Sequence, residues 1–174
     1  MTTLRSLIFV AWLYLSMAIF ALFLSPVLLF GRAPSMVVIR MWAAFVLFGL
    51  RWICGVKVEV RGLEHRPSGP ALIAGKHQGM LDVIAPFTFL PDPCYVMKKE
   101  LMVLPFFGWF AARTNMIAID RSAHSAALKG MVRQARARRD EGRQVLIFPE
   151  GTRTAPGAAP DYKPGIAALY RDLD

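Results

Sequence analysis

Ala71-Leu72-Ile73-Ala74-Gly75-Lys76-His77-Gln78-Gly79-Met80-Leu81-Asp82 is the stretch on which the reading of the chain turns. Four small or branched apolar residues run up to Gly75 and predict a short strand buried on both faces. A turn carrying Lys76, His77, Gln78 and Gly79 follows, and an apolar run resumes at Met80. Open α/β sheets place their ligands at the carboxyl ends of buried strands, which is where His77 falls. Asp82 lies five residues beyond His77. If the turn opens a helix, Asp82 sits in or near its first turn and can fold back toward the imidazole. A carboxylate there fixes the tautomer of His77 and stabilises its protonated form, as a general base requires. Taken alone, the pair reads better as a loop histidine with a helix-capping aspartate.

Two further stretches repeat the pattern of a buried strand ending in polar residues. Asn115-Met116-Ile117-Ala118-Ile119-Asp120-Arg121 is one, and Phe148-Pro149-Glu150-Gly151-Thr152-Arg153 is the other. His-x-x-x-x-Asp, Ile-Asp-Arg and Phe-Pro-Glu-Gly-Thr-Arg, in this order and spacing, resemble the glycerolipid acyltransferases. The likeness is greatest to the 1-acylglycerol-3-phosphate acyltransferases of phospholipid synthesis. Lys98-Lys99-Glu100-Leu101 and Pro105-Phe106-Phe107-Gly108-Trp109 strengthen it, and it extends from about Val56 to the end.

Composition points to a membrane partner. The chain has 174 residues, 55% of them hydrophobic and 19% charged, with a net charge of +9 and a mean hydropathy of +0.41. One domain is expected at this length. A basic, apolar chain suits an anionic membrane face, whereas the apolar excess argues against a free nucleic-acid binder. Cys54 and Cys94 define no disulfide framework and no metal spacing, and read as buried small residues in a reducing compartment. His77 and Asp82 without a third ligand make no metal site.

Residues 6–30 contain no charge and are long enough to cross a bilayer as a helix. They are too long for a signal-peptide core and predict a retained anchor, with a kink at Pro26. Residues 36–53 carry Arg40 and Arg51 and predict an interfacial or re-entrant helix whose arginines reach headgroups, with an ordinary core helix as the alternative. Such a pair is similar to the amino-terminal helices of bacterial acyltransferases. Only Arg5 precedes the first apolar stretch, and Arg32, Arg40, Arg51, Lys57 and Arg61 follow it. The positive-inside rule places the downstream domain in the cytoplasm, at the bacterial inner membrane.

The expected division is residues 1–53 as membrane-anchoring helices and 54–174 as the acyltransferase domain. Val56-Lys57-Val58-Glu59-Val60-Arg61 alternates and predicts a half-buried strand. Further strands are expected over 71–74, 94–97, 115–119 and 144–148. Helices are expected over 81–90, disturbed near Pro86, from Ser122 to about Glu141, and from Lys163 onward. Leu128, Met131, Val132 and Ala135 form an apolar stripe on the long helix, and Arg133 to Arg143 read as a solvated basic end. The apolar run 101–113 reads as core or as a surface for lipid. Alternating strands and helices give an α/β fold, expected as a layered mixed sheet flanked by helices and preceded by the hydrophobic helical pair. Family members continue past the last helix into a further strand with a Val-Pro-Val-like motif. The C-terminal part of the family fold is therefore expected to be missing, as in a truncated product or a fragment.

The resemblance implies transfer of a fatty acyl group from coenzyme A or acyl carrier protein to the sn-2 hydroxyl of lysophosphatidic acid, giving phosphatidic acid. It implies no cofactor beyond the donor as co-substrate, and membrane lipid but no nucleic acid as partner. His77 would remove the hydroxyl proton and Asp82 would orient it. The hydroxyl attacks directly, and the absence of a Gly-x-Ser-x-Gly elbow counts against a serine hydrolase. Arg121 and Arg153, each after a strand, are candidates for the acceptor phosphate, with Lys98 a third by resemblance. Gly151 allows close backbone approach, and Thr152 belongs to the same turn. Glu150 is expected to hold the acceptor's glycerol or to brace an arginine, and Arg121 has an ion pair with Asp120 or Glu150 as its alternative role. Other acceptors, a lyso-ornithine lipid or glycerol 3-phosphate, remain open, as does a non-catalytic basic membrane-binding module.

Overall fold

A computed structural model describes residues 2–173, the side chains at 123 and 124 excepted. The chain opens with α1 (Thr2–Leu24), which passes into a 3-10 segment (Ser25–Phe30) one residue before Pro26. A proline has no backbone N–H to continue the α ladder, which accounts for the change of helix type. Gly31 turns the chain at φ 106°, and α2 (Arg32–Gly49) returns alongside α1. A wider π turn (Leu50–Cys54) ends it at Gly55, whose φ of 72° is left-handed. Trp12 of α1 stacks on Phe45 of α2 with ring centroids 4.4 Å apart.

Four strands follow: β1 (Ala71–Ala74), β2 (Pro93–Lys98), β3 (Ile117–Ile119) and β4 (Gln144–Ile147). Between them lie α3 (Leu81–Ile84), α4 (Pro86–Phe89), α5 (Phe107–Arg113) and α6 (His124–Asp140), and α7 (Pro164–Leu173) comes last. The sheet order is β1-β4-β2-β3. Ala71 pairs with Gln144, Cys94 with Val145 and Lys98 with Ile119.

The α/β architecture is the expected one, but the sheet is parallel throughout rather than mixed. The difference lies in residues 56–61, which form no strand. Val58 and Val60 are half-buried while Lys57, Glu59 and Arg61 are exposed, so the alternation is real. No strand pairs with it, and alternation without a ladder partner leaves an extended loop. Pro86 splits the helix expected over 81–90 into α3 and α4.

One core runs through both parts of the chain. Leu13, Met36, Ala43 and Val46 of the helical pair belong to the same buried cluster as Ile84, Phe87, Tyr95, Ile117, Val145 and Leu169. Leu128, Met131, Val132 and Ala135 of α6 face it as the stripe on that helix requires. Arg40 does not reach outward toward headgroups. Its Nη2 donates to the carbonyls of Leu90, at 2.7 Å, and Pro91, at the end of α4. Arg32 pairs with Asp92 at 2.6 Å. Helix ends leave carbonyls unsatisfied, and an arginine on the neighbouring helix satisfies them here in a partly buried corner.

The basic end of α6 is solvated only in part: Arg133 and Arg136 are exposed, Arg138 and Arg139 are half-buried, and Arg143 is buried. Arg136 pairs with Asp172 at 2.7 Å, and Arg139 donates to the carbonyl of Leu173 at 2.7 Å, holding α7 in place. Arg143 is fully buried, donates to the Thr114 carbonyl at 3.0 Å, and pairs with Asp92 at 3.4 Å. A guanidinium has five donors, enough to satisfy carbonyls converging at the amino ends of the strands.

Candidate active site

Because the four strands are parallel, their carboxyl ends share one edge, and every expected site residue is brought to it. His77 follows β1, Lys98 ends β2, Arg121 follows β3, and Glu150 to Arg153 follow β4. Asp82 sits in α3, whose first turn folds back toward β1.

The Asp82 carboxylate closes the turn. Its Oδ2 accepts the backbone N–H of Gly79 at 2.7 Å and that of Gln78, and lies 3.2 Å from Nδ1 of His77. Burial pushes the carboxyl up, but the two backbone donors and the imidazole outweigh it and hold Asp82 below the usual carboxylate range. An ionised carboxylate only accepts, so the proton of neutral His77 is on Nδ1 and Nε2 carries the free lone pair. Asp82 lies within α3 and closes the turn before it rather than capping the helix, and the same oxygen faces Nδ1 of the histidine. The imidazole stacks on Phe148 at 4.3 Å, and Thr154 donates its N–H to the His77 carbonyl at 2.8 Å. The ring is thus held from two strands.

Glu150 is buried, with 1% of its side chain exposed, and pairs with Lys76 Nζ at 2.8 Å. It braces a lysine and not an arginine. Lys76 holds the Glu150 carboxyl below its ordinary range despite burial, and Glu150 in turn raises Lys76. Asp120 is occupied as well. Ser122 and then Lys99, at 3.2 Å, keep it below the usual range.

With both carboxylates engaged elsewhere, neither ion pair considered for Arg121 forms. Its Nη1 reaches past the end of β2 and donates to the Gly151 carbonyl at 2.6 Å. Gly151 has φ 69°, and its N–H closes the turn onto the Phe148 carbonyl at 3.0 Å. Glycine is the residue that takes this left-handed conformation without strain. A side chain at Gly151 would also stand about 3.5 Å from the Arg121 guanidinium. Lys98, Thr152 and Arg153 are exposed. Among the described residues Lys98 and Arg153 have no protein partner, so two cations on this edge are free to meet an anion. No group of three or more His, Cys, Asp or Glu among the described residues is placed to hold a metal ion.

Sequence reasoning missed Lys76, Phe148 and Thr154. Lys76 adjoins His77, but its pairing with Glu150 depends on β4 lying beside β1, and no spacing encodes strand order.

The sequence profile of the family described as Acyltransferase matches residues 57–174. A 1-acyl-sn-glycerol-3-phosphate acyltransferase of Pseudomonas aeruginosa is 40% identical over 147 residues, covering 84% of this chain and 57% of that protein. The human 1-acyl-sn-glycerol-3-phosphate acyltransferase alpha is 32% identical over 126 residues, covering 71% of this chain and 44% of that one. The chain spans about half the length of the curated relatives it matches. Among solved structures, the 1-acyl-sn-glycerophosphate acyltransferase PlsC of Thermotoga maritima superposes with a TM-score of 0.76 over 99% of this chain and 72% of that one. At 20% identity that likeness is one of fold, and it reaches back through the helical pair. Taken with the matched residues, which make up more than half of the sequence, it completes the assignment: the chain belongs to the acyltransferase family.

Proposed function

We propose that the chain transfers a fatty acyl group from a thioester of coenzyme A or acyl carrier protein to the sn-2 hydroxyl of 1-acyl-sn-glycerol 3-phosphate. The observation that carries this reading is the His77–Asp82 pair, 3.2 Å apart, on the same sheet edge as Arg153 and Lys98, which have no partner among the described residues. His77 Nε2 takes the hydroxyl proton as the alcohol oxygen attacks the thioester carbonyl. The tetrahedral species collapses, the carbon–sulfur bond breaks, and the imidazolium returns the proton to the departing sulfur. The products are phosphatidic acid and a free thiol. Asp82 keeps Nδ1 protonated throughout and stabilises the imidazolium. General-base help of this kind gives roughly 100- to 10,000-fold in rate, and it needs no cofactor besides the donor.

Arg153, Lys98 and Arg121 meet the acceptor phosphate, with Arg121 also holding the Gly151 turn in shape. Glu150, buried beneath the turn, supports it through Lys76 and does not touch the acceptor. The helical pair attaches the enzyme to the cytoplasmic face of a bacterial inner membrane. α1 with its 3-10 extension and α2 with its π turn are each long and apolar enough to cross a bilayer. However, the tip of the pair is docked on the α/β part through Arg32–Asp92, and Arg113 donates to the Leu29 carbonyl at 3.4 Å. A spanning hairpin would hold its tip about 30 Å from the domain, across the hydrocarbon core. The pair therefore lies in one leaflet, along the domain.

Acylation of lysophosphatidic acid and of a 1-monoacylglycerol by the purified chain, with a radiolabelled donor, tests the reading. Losing charge-assisted bonds to phosphate, each of about 1.5–3 kcal/mol, should cost the phosphate-free acceptor at least tenfold in kcat/KM. Equal use of the two acceptors would overturn the phosphate assignment.

A further inference from the structure

The turn after β1 carries the proposed base and the turn after β4 carries Arg153, one of the proposed phosphate cations, and a side-chain ion pair joins the two turns. Lys76 precedes His77, and its Nζ lies 2.8 Å from Oε1 of Glu150, which precedes Gly151. Glu150 has no other cation partner among the described residues, and its Oε2 is 3.4 Å from the Thr154 hydroxyl. The other ties between these turns are the stacking of His77 on Phe148 at 4.3 Å, the Thr154 hydroxyl 3.5 Å from the His77 carbonyl, and backbone bonds from Gly75 to the Ile147 carbonyl at 3.0 Å and from Thr154 to the His77 carbonyl at 2.8 Å, so Lys76–Glu150 is the charged link among them. A buried carboxylate that loses its one cation is strongly disfavoured, so removing Lys76 drives Glu150, and the turn it begins, to rearrange.

We propose that Lys76 is a positioning residue which, through Glu150, fixes the distance between the general base and the phosphate-binding turn and so selects which acceptor hydroxyl is acylated. The inference rests on the reading of His77 as base and of the β4 turn as the phosphate site. The selection follows from geometry. Moving a hydroxyl one carbon further from the phosphate displaces it by about one carbon–carbon bond, roughly 1.5 Å. A misplacement of about 1 Å costs on the order of a hundredfold in rate when base and anchor are held rigidly. Loosening the tie spends part of that discrimination.

The test uses the full chain in detergent with a long-chain acyl-coenzyme A and two ether-linked acceptors that cannot isomerise. One is a 1-O-alkylglycerol 3-phosphate, with its hydroxyl beside the phosphate-bearing carbon. The other is the 2-O-alkyl isomer, with its hydroxyl one carbon further away. Lys76→Met should lower kcat on the first acceptor about tenfold, leave the donor KM within about twofold, and narrow the preference between the isomers about tenfold. Lys76→Arg should restore most of the preference, since it keeps the cation. A merely structural role would reduce the active fraction and scale both acceptors alike. Should Lys76→Met not accumulate as folded protein, Lys76→Gln, which keeps much of the stem and a hydrogen-bonding head, is read in the same way. A preference unchanged within about twofold in either folded variant overturns the proposal. His77→Ala, run alongside, separates the two claims. If it is inactive while the preference is unchanged in Lys76→Met, the positioning role alone falls. If it turns over like the intact chain, or if the intact chain acylates neither acceptor, the reading beneath the proposal falls with it.

Discussion

Arg153 is exposed and has no protein partner among the described residues, so its guanidinium is available to the phosphate proposed for it. Its guanidinium matches phosphate in a bidentate fork, where lysine offers a point charge. Arg153→Ala should raise the acceptor KM about ten- to a hundredfold, the equivalent of one or two charge-assisted bonds, with a smaller effect on the donor KM. Arg153→Lys should recover part of the loss. No Arg153–Glu150 pair exists to be broken, because Glu150 is committed to Lys76, so steady-state kinetics on the two variants read substrate binding directly. An unchanged acceptor KM in Arg153→Ala would remove it from the phosphate site. The carboxylates make a second point at this scale. Asp82 and Glu150 are both held below their ordinary range in the folded chain. A depressed carboxylate contributes stability that is present above its unfolded pKa, near 4, and is lost as pH falls through the folded value. The melting temperature should therefore hold from neutrality down to about pH 5 and fall below about pH 4, and Asp82→Asn with Glu150→Gln should flatten that acid fall. A melting curve against pH decides it, and an acid fall as steep in the double variant would place its origin elsewhere.

Between elements, the decisive contacts are those of α2 with the end of α4. Arg40 donates to two carbonyls there and Arg32 pairs with Asp92, which also meets buried Arg143. Arg40→Met would leave the carbonyls of Leu90 and Pro91 without that donor. It should cost about 2–4 kcal/mol, lowering the melting temperature by roughly 5–10 °C, without reducing association with vesicles. An unchanged melting temperature would mean that the helical pair is not docked as described. This contact also shows what the sequence could and could not disclose. The strands 71–74, 94–97 and 144–148 were legible because short apolar runs ended at turn residues, and the Pro86 break was legible because proline interrupts helices wherever it occurs. Arg40 is not legible in this way, because a lone arginine in an apolar stretch looks the same whether it snorkels to headgroups or caps a neighbouring helix. The alternation of 56–61 suggested a strand, since pattern reports burial but not the presence of a ladder partner.

At the scale of the molecule, parallel strands gather turns that lie far apart in the sequence onto one edge, and that gathering makes the site. His77 and Asp82 were legible because they lie five residues apart and pair across one turn. Lys76, Phe148 and Thr154 were not, because they matter only once β4 is known to lie beside β1. The fold leaves the His77–Asp82 pair and, among the described residues, the unpartnered Lys98 and Arg153 on the same edge, beside a helical pair with a broad apolar surface. The measurement that bears most directly on this arrangement is acyl transfer to lysophosphatidic acid by His77→Ala. The variant should be compared with the intact chain, at equal folded fraction by thermal melting and equal vesicle binding. The arrangement requires transfer to fall about 100- to 10,000-fold with melting and vesicle binding unchanged. Turnover by folded His77→Ala at the rate of the intact chain would contradict it.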